Sequence, residues 1–197
     1  MKLVIASSNA GKLAELRELL ADSGFALHTQ LEFGVVDAEE TGSTFVENAL
    51  LKARHAARAT GLPALGDDSG LCVDALGGAP GLYSARYAGV HGNAQTNIDK
   101  LLDALQGVPP PGRTAHFHAV IALLRHADDP QPIIVEGSWP GLILGERRGE
   151  GGFGYDPVFF DPLQGATAAE LDPELKNRVS HRGRALAALK LRIAELQ

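Results

Sequence analysis

Two pairs of neighbouring carboxylates stand out in this chain: Asp67-Asp68, framed as Gly66-Asp67-Asp68-Ser69-Gly70, and Glu39-Glu40, within Asp37-Ala38-Glu39-Glu40-Thr41-Gly42. Neither stretch holds a Lys or Arg. The opposite charge gathers in Lys176-Asn177-Arg178-Val179-Ser180-His181-Arg182-Gly183-Arg184. Carboxylates suit a hard divalent cation such as magnesium, which takes one or two of them and fills its shell with water and substrate phosphate. A carboxylate beside such an ion can also accept a proton from an attacking water. Acids of this kind with a remote cationic cluster point to an enzyme that acts on a metal-bound polyphosphate, and hence on a nucleotide. The glycines on either side of Asp67-Asp68 predict a tight turn. Adjacent acids in a turn point in different directions, so one of each pair is free to be solvent-facing or structural. Glu39-Glu40 also reads as an acidic lead-in to the helix that follows, favourable to its dipole.

Three further stretches carry candidate binding groups. Ser7-Ser8-Asn9-Ala10-Gly11-Lys12 lies between an apolar run and a helical pattern, where backbone N–H groups attract anions and Lys12 adds a point charge. It is not a Walker A loop: Ala6 stands where the first Gly is needed, and Leu13 follows Lys12 in place of Ser or Thr. Alone, it reads as a turn capped by Ser8 or Asn9 with a solvated Lys12. In Gly151-Gly152-Phe153-Gly154-Tyr155-Asp156, Phe153 or Tyr155 could stack on a flat base and Asp156 could accept a ring N–H. The same aromatics could equally pack inward. Ser180-His181-Arg182 opens a helix with Ser180 as N-cap, and its donors could read an oxygen-bearing base edge or a phosphate. The alternative is a capped helix with a solvated Arg182. Lys52, on the helix after Thr44, faces either phosphate or solvent on this spacing. His116 and His118 alternate on a strand pattern, while His91 and His126 are isolated, so no zinc site is expected.

The elements that must hold these groups follow from periodicity. Leu3-Val4-Ile5-Ala6 predicts a buried strand, and residues 12–22 a helix with Leu13, Leu16, Leu19 and Leu20 on one face and Gly24 beyond its end. Thr44 and Glu47 form a capping-box pattern that opens a helix to Thr60, ahead of Gly61 and Pro63. Leu71-Cys72-Val73 predicts a strand leaving the acidic turn, and residues 75–92 are glycine-rich and irregular. Asn93 caps a helix with Ile98, Leu101, Leu102 and Leu105. Residues 114–125 have β character, and Asp128-Asp129-Pro130 turns into Ile133-Ile134-Val135. Trp139-Pro140-Gly141 breaks that run before Leu142-Ile143-Leu144 resumes it; Val158-Phe159-Phe160 is a further short strand. The C-terminal stretch is helical, with a stripe of Leu186, Leu189, Ile193 and Leu196. This order predicts an α/β fold with a mixed central sheet and flanking helices. No linker is long enough to divide the 197 residues, so one domain, or two closely joined lobes, is expected.

Composition excludes several classes of partner. At 45% hydrophobic and 21% charged residues the chain is an ordinary globular sequence, and a net charge of −6 argues against affinity for nucleic-acid polymers. A small anionic substrate needs only a local basic pocket. The single Cys72 rules out an internal disulfide framework and fits a reducing compartment. The first apolar run is too short for a signal peptide and no run approaches a membrane span, so a cytoplasmic protein without membrane contact is expected.

Taken in order, the motifs resemble the Ham1-like inosine/xanthosine triphosphate pyrophosphatases. The resemblance runs from Ser7-Ser8-Asn9-Ala10-Gly11-Lys12 through Glu39-Glu40-Thr41-Gly42, Thr44-Phe45-Val46-Glu47-Asn48-Ala49 and Asp67-Asp68-Ser69-Gly70-Leu71. It continues through Gly78-Ala79-Pro80-Gly81, Ser84-Ala85-Arg86-Tyr87 and Gly152-Phe153-Gly154-Tyr155-Asp156-Pro157 to Lys176 and Ser180-His181-Arg182. It implies an elongated two-lobed fold with a central substrate cleft, usually paired as a homodimer. It also implies Mg²⁺-dependent hydrolysis of ITP, dITP and XTP to the monophosphate and pyrophosphate, which keeps deaminated purines away from polymerases.

The family pattern assigns Asp68 as general base and Glu39 with Asp68 as metal carboxylates. It places Ser7, Ser8, Asn9, Ala10, Gly11 and Lys12 at the triphosphate and Ser69 on the substrate. Phe153, Gly154, Tyr155, Asp156, Lys176, His181 and Arg182 complete the nucleotide pocket. A donor such as Arg182 facing a 6-oxo group would leave unpaired groups opposite adenine and so reject ATP. Guanine shares that edge, so its exclusion depends on the 2-position. Modified pyrimidine triphosphates, as in the related Maf-like fold, and a catalytically silent nucleotide-binding protein are the alternatives.

Overall fold

Strand β1 (Lys2–Ala6) buries Leu3, Val4 and Ile5 completely, as an apolar run between polar neighbours should. The structure is a computed structural model and describes residues 1–90 and 93–194. The Asn9 side chain caps α1 (Ala10–Leu19) by accepting the Lys12 N–H at 3.1 Å. Strand β2 (Ala26–Thr29) has no counterpart in the predicted elements; four half-polar residues carry too little periodicity to mark it. The predicted N-cap opens α2 (Phe45–Thr60): Thr44 Oγ1 accepts the Glu47 N–H at 3.2 Å, while the Glu47 carboxylate accepts the Ser43 N–H at 2.7 Å, one residue before the partner a full capping box would use. Gly61, in the left-handed region at φ 68°, ends it.

Strand β3 (Ala64–Val73) corrects the expected turn. Its ten residues pass straight through Gly66-Asp67-Asp68-Ser69-Gly70, and neither glycine has a positive φ. The glycines provide clearance instead. A Cβ on Gly66 would collide with the backbone oxygen of Ala49 in α2, and one on Gly70 with the backbone oxygen of Gly81. Gly66→Ala is therefore expected to destabilise the fold by about 1–3 kcal/mol, the usual scale of overpacking. Thermal unfolding checks this; an unchanged Tm would mean that α2 shifts away without cost.

The predicted third helix is α3 (Ala94–Ala104), capped by Asn93. Strand β4 (Thr114–Leu124) matches its prediction, whereas β5 (Ile133–Ile143) continues through Trp139-Pro140-Gly141 rather than breaking there. Pro140 is exposed, and a Cβ on Gly141 would meet the Phe160 backbone oxygen and the Phe159 ring of the neighbouring strand, so here too glycine gives room. After β6 (Phe159–Asp161) and β7 (Ala166–Thr167), the C-terminal stretch holds two helices, α4 (Pro173–Val179) and α5 (His181–Ala194). Ser180, extended between them, donates its N–H to Lys176 O at 2.9 Å. His91 and Leu196 lie outside the described residues.

The strand order is β2-β1-β3-β4-β5-β6-β7. β1 is parallel to β2 and to β3, while β6 is antiparallel to β5 and to β7, so the sheet is mixed as the element order predicts. The chain forms two compact units. The first comprises Met1–Asp68, Ala119–Gly137 and α5 from Arg182; its core includes Leu3, Ile5, Leu16, Leu65, Ile121 and Leu186. The second comprises Ser69–His118 and Ser138–His181, with Leu71, Ile98, Leu101, Phe117, Trp139 and Phe159 in its core. No described helix is long and apolar enough to cross a membrane.

Candidate active site

Because side chains alternate along a strand, β3 sends Asp67 and Asp68 to opposite faces, and the two meet different partners. Asp67, buried, accepts from Arg182 Nε at 2.8 Å and pairs with Lys12 Nζ at 2.7 Å. Arg182 Nη1 reaches Glu15 on α1, which closes a Lys12–Asp67–Arg182–Glu15 network. Burial alone would raise the Asp67 carboxyl, but Arg182 and Lys12 hold it well below the usual range. Burial lowers the Lys12 ammonium, against the pull of Asp67, and nearby Lys52 and Arg182 lower it further. Arg182 is only 1% exposed. Its guanidinium thus grips two carboxylates of its own unit and is not the solvated group that a merely capped helix would leave.

On the other face of β3, Lys52 Nζ bridges Asp68 Oδ1 at 2.7 Å and Glu40 Oε1 at 2.8 Å. The second Asp68 oxygen, Oδ2, is buried and has no hydrogen-bond partner among the described residues. Burial pushes the Asp68 carboxyl up; Lys52 and Lys12 oppose the shift and Glu40 adds to it. Burial works against the Lys52 ammonium as well, yet Asp68 and Glu40 raise it above its ordinary value. Lys52 thus faces carboxylates rather than open solvent. Asn48 lies one helical turn earlier, and its Oδ1 accepts the Gly42 N–H at 2.8 Å, so this face of α2 looks toward the acidic segment.

The Glu39-Glu40 pair divides as Asp67-Asp68 does. Glu40 is held by Lys52, while Glu39 is exposed and makes no hydrogen bond or ion pair among the described residues. No group of three or more His, Cys, Asp or Glu side chains is assembled around a common point among the described residues. The feature that suits a hard cation is the orphaned Asp68 oxygen; Glu39, an uncommitted carboxylate, belongs to the same unit.

The segment 7–12 is built as a helix start. Ser7 Oγ accepts the Asn9 N–H at 3.2 Å, Ser8 Oγ donates to Asp37, and Asn9 caps the helix whose first turn contains Ala10, Gly11 and Lys12. That turn carries no acid, so its N–H groups and Lys12 leave it attractive to an anion.

The remaining expected residues belong to the second unit. Asp156 Oδ2 accepts from the Phe153 N–H at 2.9 Å and from Lys176 Nζ at 2.6 Å, and Lys176 Nζ lies 5.1 Å from the Phe153 ring centroid. A Cβ on Gly152, at φ 71°, would strike the same Asp156 oxygen, which accounts for glycine there. The two aromatics of this loop part company. Tyr155 is buried in the core with its hydroxyl donating to Ser84 O at 2.8 Å, whereas Phe153, next to Gly154, is half-buried. His181 is buried and stacks on Phe117, with centroids 4.8 Å apart and an interplanar angle of 14°. Ser69 is half-buried on β3.

The model of the Ham1 family matches residues 3–192. A dITP/XTP pyrophosphatase of Xanthomonas oryzae pv. oryzae is 64% identical over 194 residues, covering 98% of each chain. Among solved structures, a HAM1 protein from Coxiella burnetii is 53% identical with a TM-score of 0.91, covering 99% of each chain. The Staphylococcus aureus Ham1 protein is 39% identical with a TM-score of 0.88, covering all of both.

Proposed function

This chain belongs to the Ham1 family, and on that premise we propose that it hydrolyses dITP, XTP and ITP to the nucleoside monophosphate and pyrophosphate. The observation that carries the reading is the state of Asp68: one oxygen is fixed by Lys52 and the other is buried without a hydrogen-bond partner among the described residues. A carboxylate so oriented, with a pKa raised by burial, is suited to take a proton from water. That water attacks the α-phosphorus, the bond to the bridging oxygen breaks, and pyrophosphate leaves.

Asp68 and Glu39 would hold the proposed ion, magnesium, which would supply charge neutralisation for the departing pyrophosphate. Ser7, Ser8, Asn9, Ala10, Gly11 and Lys12 hold the triphosphate through the start of α1. An ammonium has three N–H bonds, so the ion pair of Lys12 with Asp67 does not exhaust it. Ser69, Phe153, Gly154, Tyr155, Asp156, Lys176 and His181 form the nucleoside side of the site, with Phe153 as its stacking face and Tyr155 as the anchor behind it. Arg182 serves this reading first by holding Asp67 and Glu15. Its part in selecting a 6-oxo purine is tested below. The enzyme would work as a cytoplasmic homodimer that clears deaminated purine triphosphates before polymerases use them.

The deciding assay separates pyrophosphate from orthophosphate across dITP, XTP, dATP, dGTP and a modified pyrimidine triphosphate, with and without magnesium. Pyrophosphate from dITP and XTP, dependent on added magnesium, is the expected result. Release of orthophosphate alone would move cleavage to the terminal phosphate and overturn the mechanism. A preference for the pyrimidine would favour the Maf-like alternative, and dITP that binds but stays intact would mark a silent nucleotide-binding protein.

A further inference from the structure

The His181 ring is placed by aromatic packing that none of the nucleotide-site motifs includes. Phe117, buried on β4, lies nearly parallel to the imidazole at 4.8 Å between centroids. Trp139 stands beside both rings, 6.2 Å from Phe117 and 6.5 Å from His181, at interplanar angles of 29° and 16°. Trp139 is itself fixed, because its indole N–H donates to Asp161 Oδ2 at 2.8 Å and Asp161 Oδ1 accepts the Leu163 N–H at 2.8 Å. All of these residues belong to the second unit.

The second side-chain torsion of histidine is intrinsically broad, so burial alone leaves the ring plane weakly defined. A parallel neighbour at this distance selects one plane. That matters for a binding residue, because N–H···O bonds weaken steeply once the ring edge turns out of line. A ring already held in plane also loses less freedom when ligand arrives.

We propose that Phe117 is a positioning residue, whose stacked ring fixes the plane of the His181 imidazole for nucleotide binding. The inference rests on the reading that His181 lies on the nucleoside side of the site. Phe117 acts through His181 and has no part in the chemistry at Asp68, so its loss weakens binding rather than turnover.

Three proteins test this: the parent, Phe117→Leu and Phe159→Leu. Phe159 packs on Phe117 at 4.6 Å and on Trp139 at 4.9 Å, so its replacement disturbs the same cluster while leaving the stack on His181 in place. Phe117→Leu is expected to raise KM for dITP by about 2- to 12-fold, the range for a lost aromatic pair, with kcat unchanged. Phe159→Leu should keep the parent KM. In proton NMR the His181 ring signals should lose their upfield ring-current shift in Phe117→Leu and keep it in Phe159→Leu. Phe117→Met carries the same expectation should the leucine variant not fold. A parent-like KM in Phe117→Leu, or an equal rise in both variants, would overturn the inference alone. A parent protein that releases no pyrophosphate from dITP would overturn the functional reading and this inference with it.

Discussion

Asp68→Asn is expected to lower kcat at least about 10²-fold, the scale of a lost general base, without lowering Tm. Asparagine keeps an oxygen that can accept from Lys52, so the bridge to Glu40 has a substitute partner. The sign of the stability change follows from the direction of the pKa shift. Burial raises the Asp68 carboxyl above its unfolded value, with Lys52 and Lys12 only partly opposing it. A carboxyl whose folded pKa is raised lowers stability once it is ionised, and the penalty is present in full above the folded pKa. At neutral pH an uncharged replacement removes that penalty. Lost turnover with Tm at or above the parent value is the expected pair of results. Near-parent turnover in a folded Asp68→Asn protein would take the proton transfer away from this residue.

Arg182→Met has the opposite expected signature, a large loss of stability. It removes the cation from a site where Asp67 is 2% exposed, leaving that carboxylate with Lys12 and detaching Glu15. Breaking a buried pair by removing one partner costs about 3–5 kcal/mol, and the surviving Lys12 contact places this variant near the lower end. For a chain of this size about 3 kcal/mol corresponds to roughly 6–12 °C in Tm. The dITP-to-dATP selectivity ratio, measured at a temperature where the variant is folded, supplies the second readout. A ratio that holds while Tm falls assigns Arg182 to the framework. An unchanged Tm with a reduced ratio would return its guanidinium to reading the purine edge.

The two acidic pairs show how far the sequence could be read. That the two members of each pair meet different surroundings follows from adjacency alone, since neighbouring side chains point in different directions. Which member, and against what, depends on residues far away in the chain: Arg182 reaches Asp67 across 115 positions. The flanking glycines mislead for a related reason. Glycine is chosen either for a positive φ or for the missing Cβ, and the two cases look identical in sequence. At Gly61 the first holds; at Gly66 and Gly70 the second does, and only the positions of Ala49 and Gly81 reveal it. Tyr155 and Phe153 present the same ambiguity, resolved when Ser84 O proves to accept the Tyr155 hydroxyl.

The sequence by itself determined the helix starts at Thr44 and Asn93, the mixed α/β character and the set of residues that could do chemistry. Those features rest on contacts within a turn of the chain or on the period of apolar residues, so local order encodes them. Tertiary structure alone decided that Asp67 and Asp68 lie on a strand rather than in a turn, that Lys52 faces Asp68, and that Arg182 is buried between two carboxylates. Charge pairing and steric clearance act through space, and a side chain's partner is fixed only when distant segments have packed.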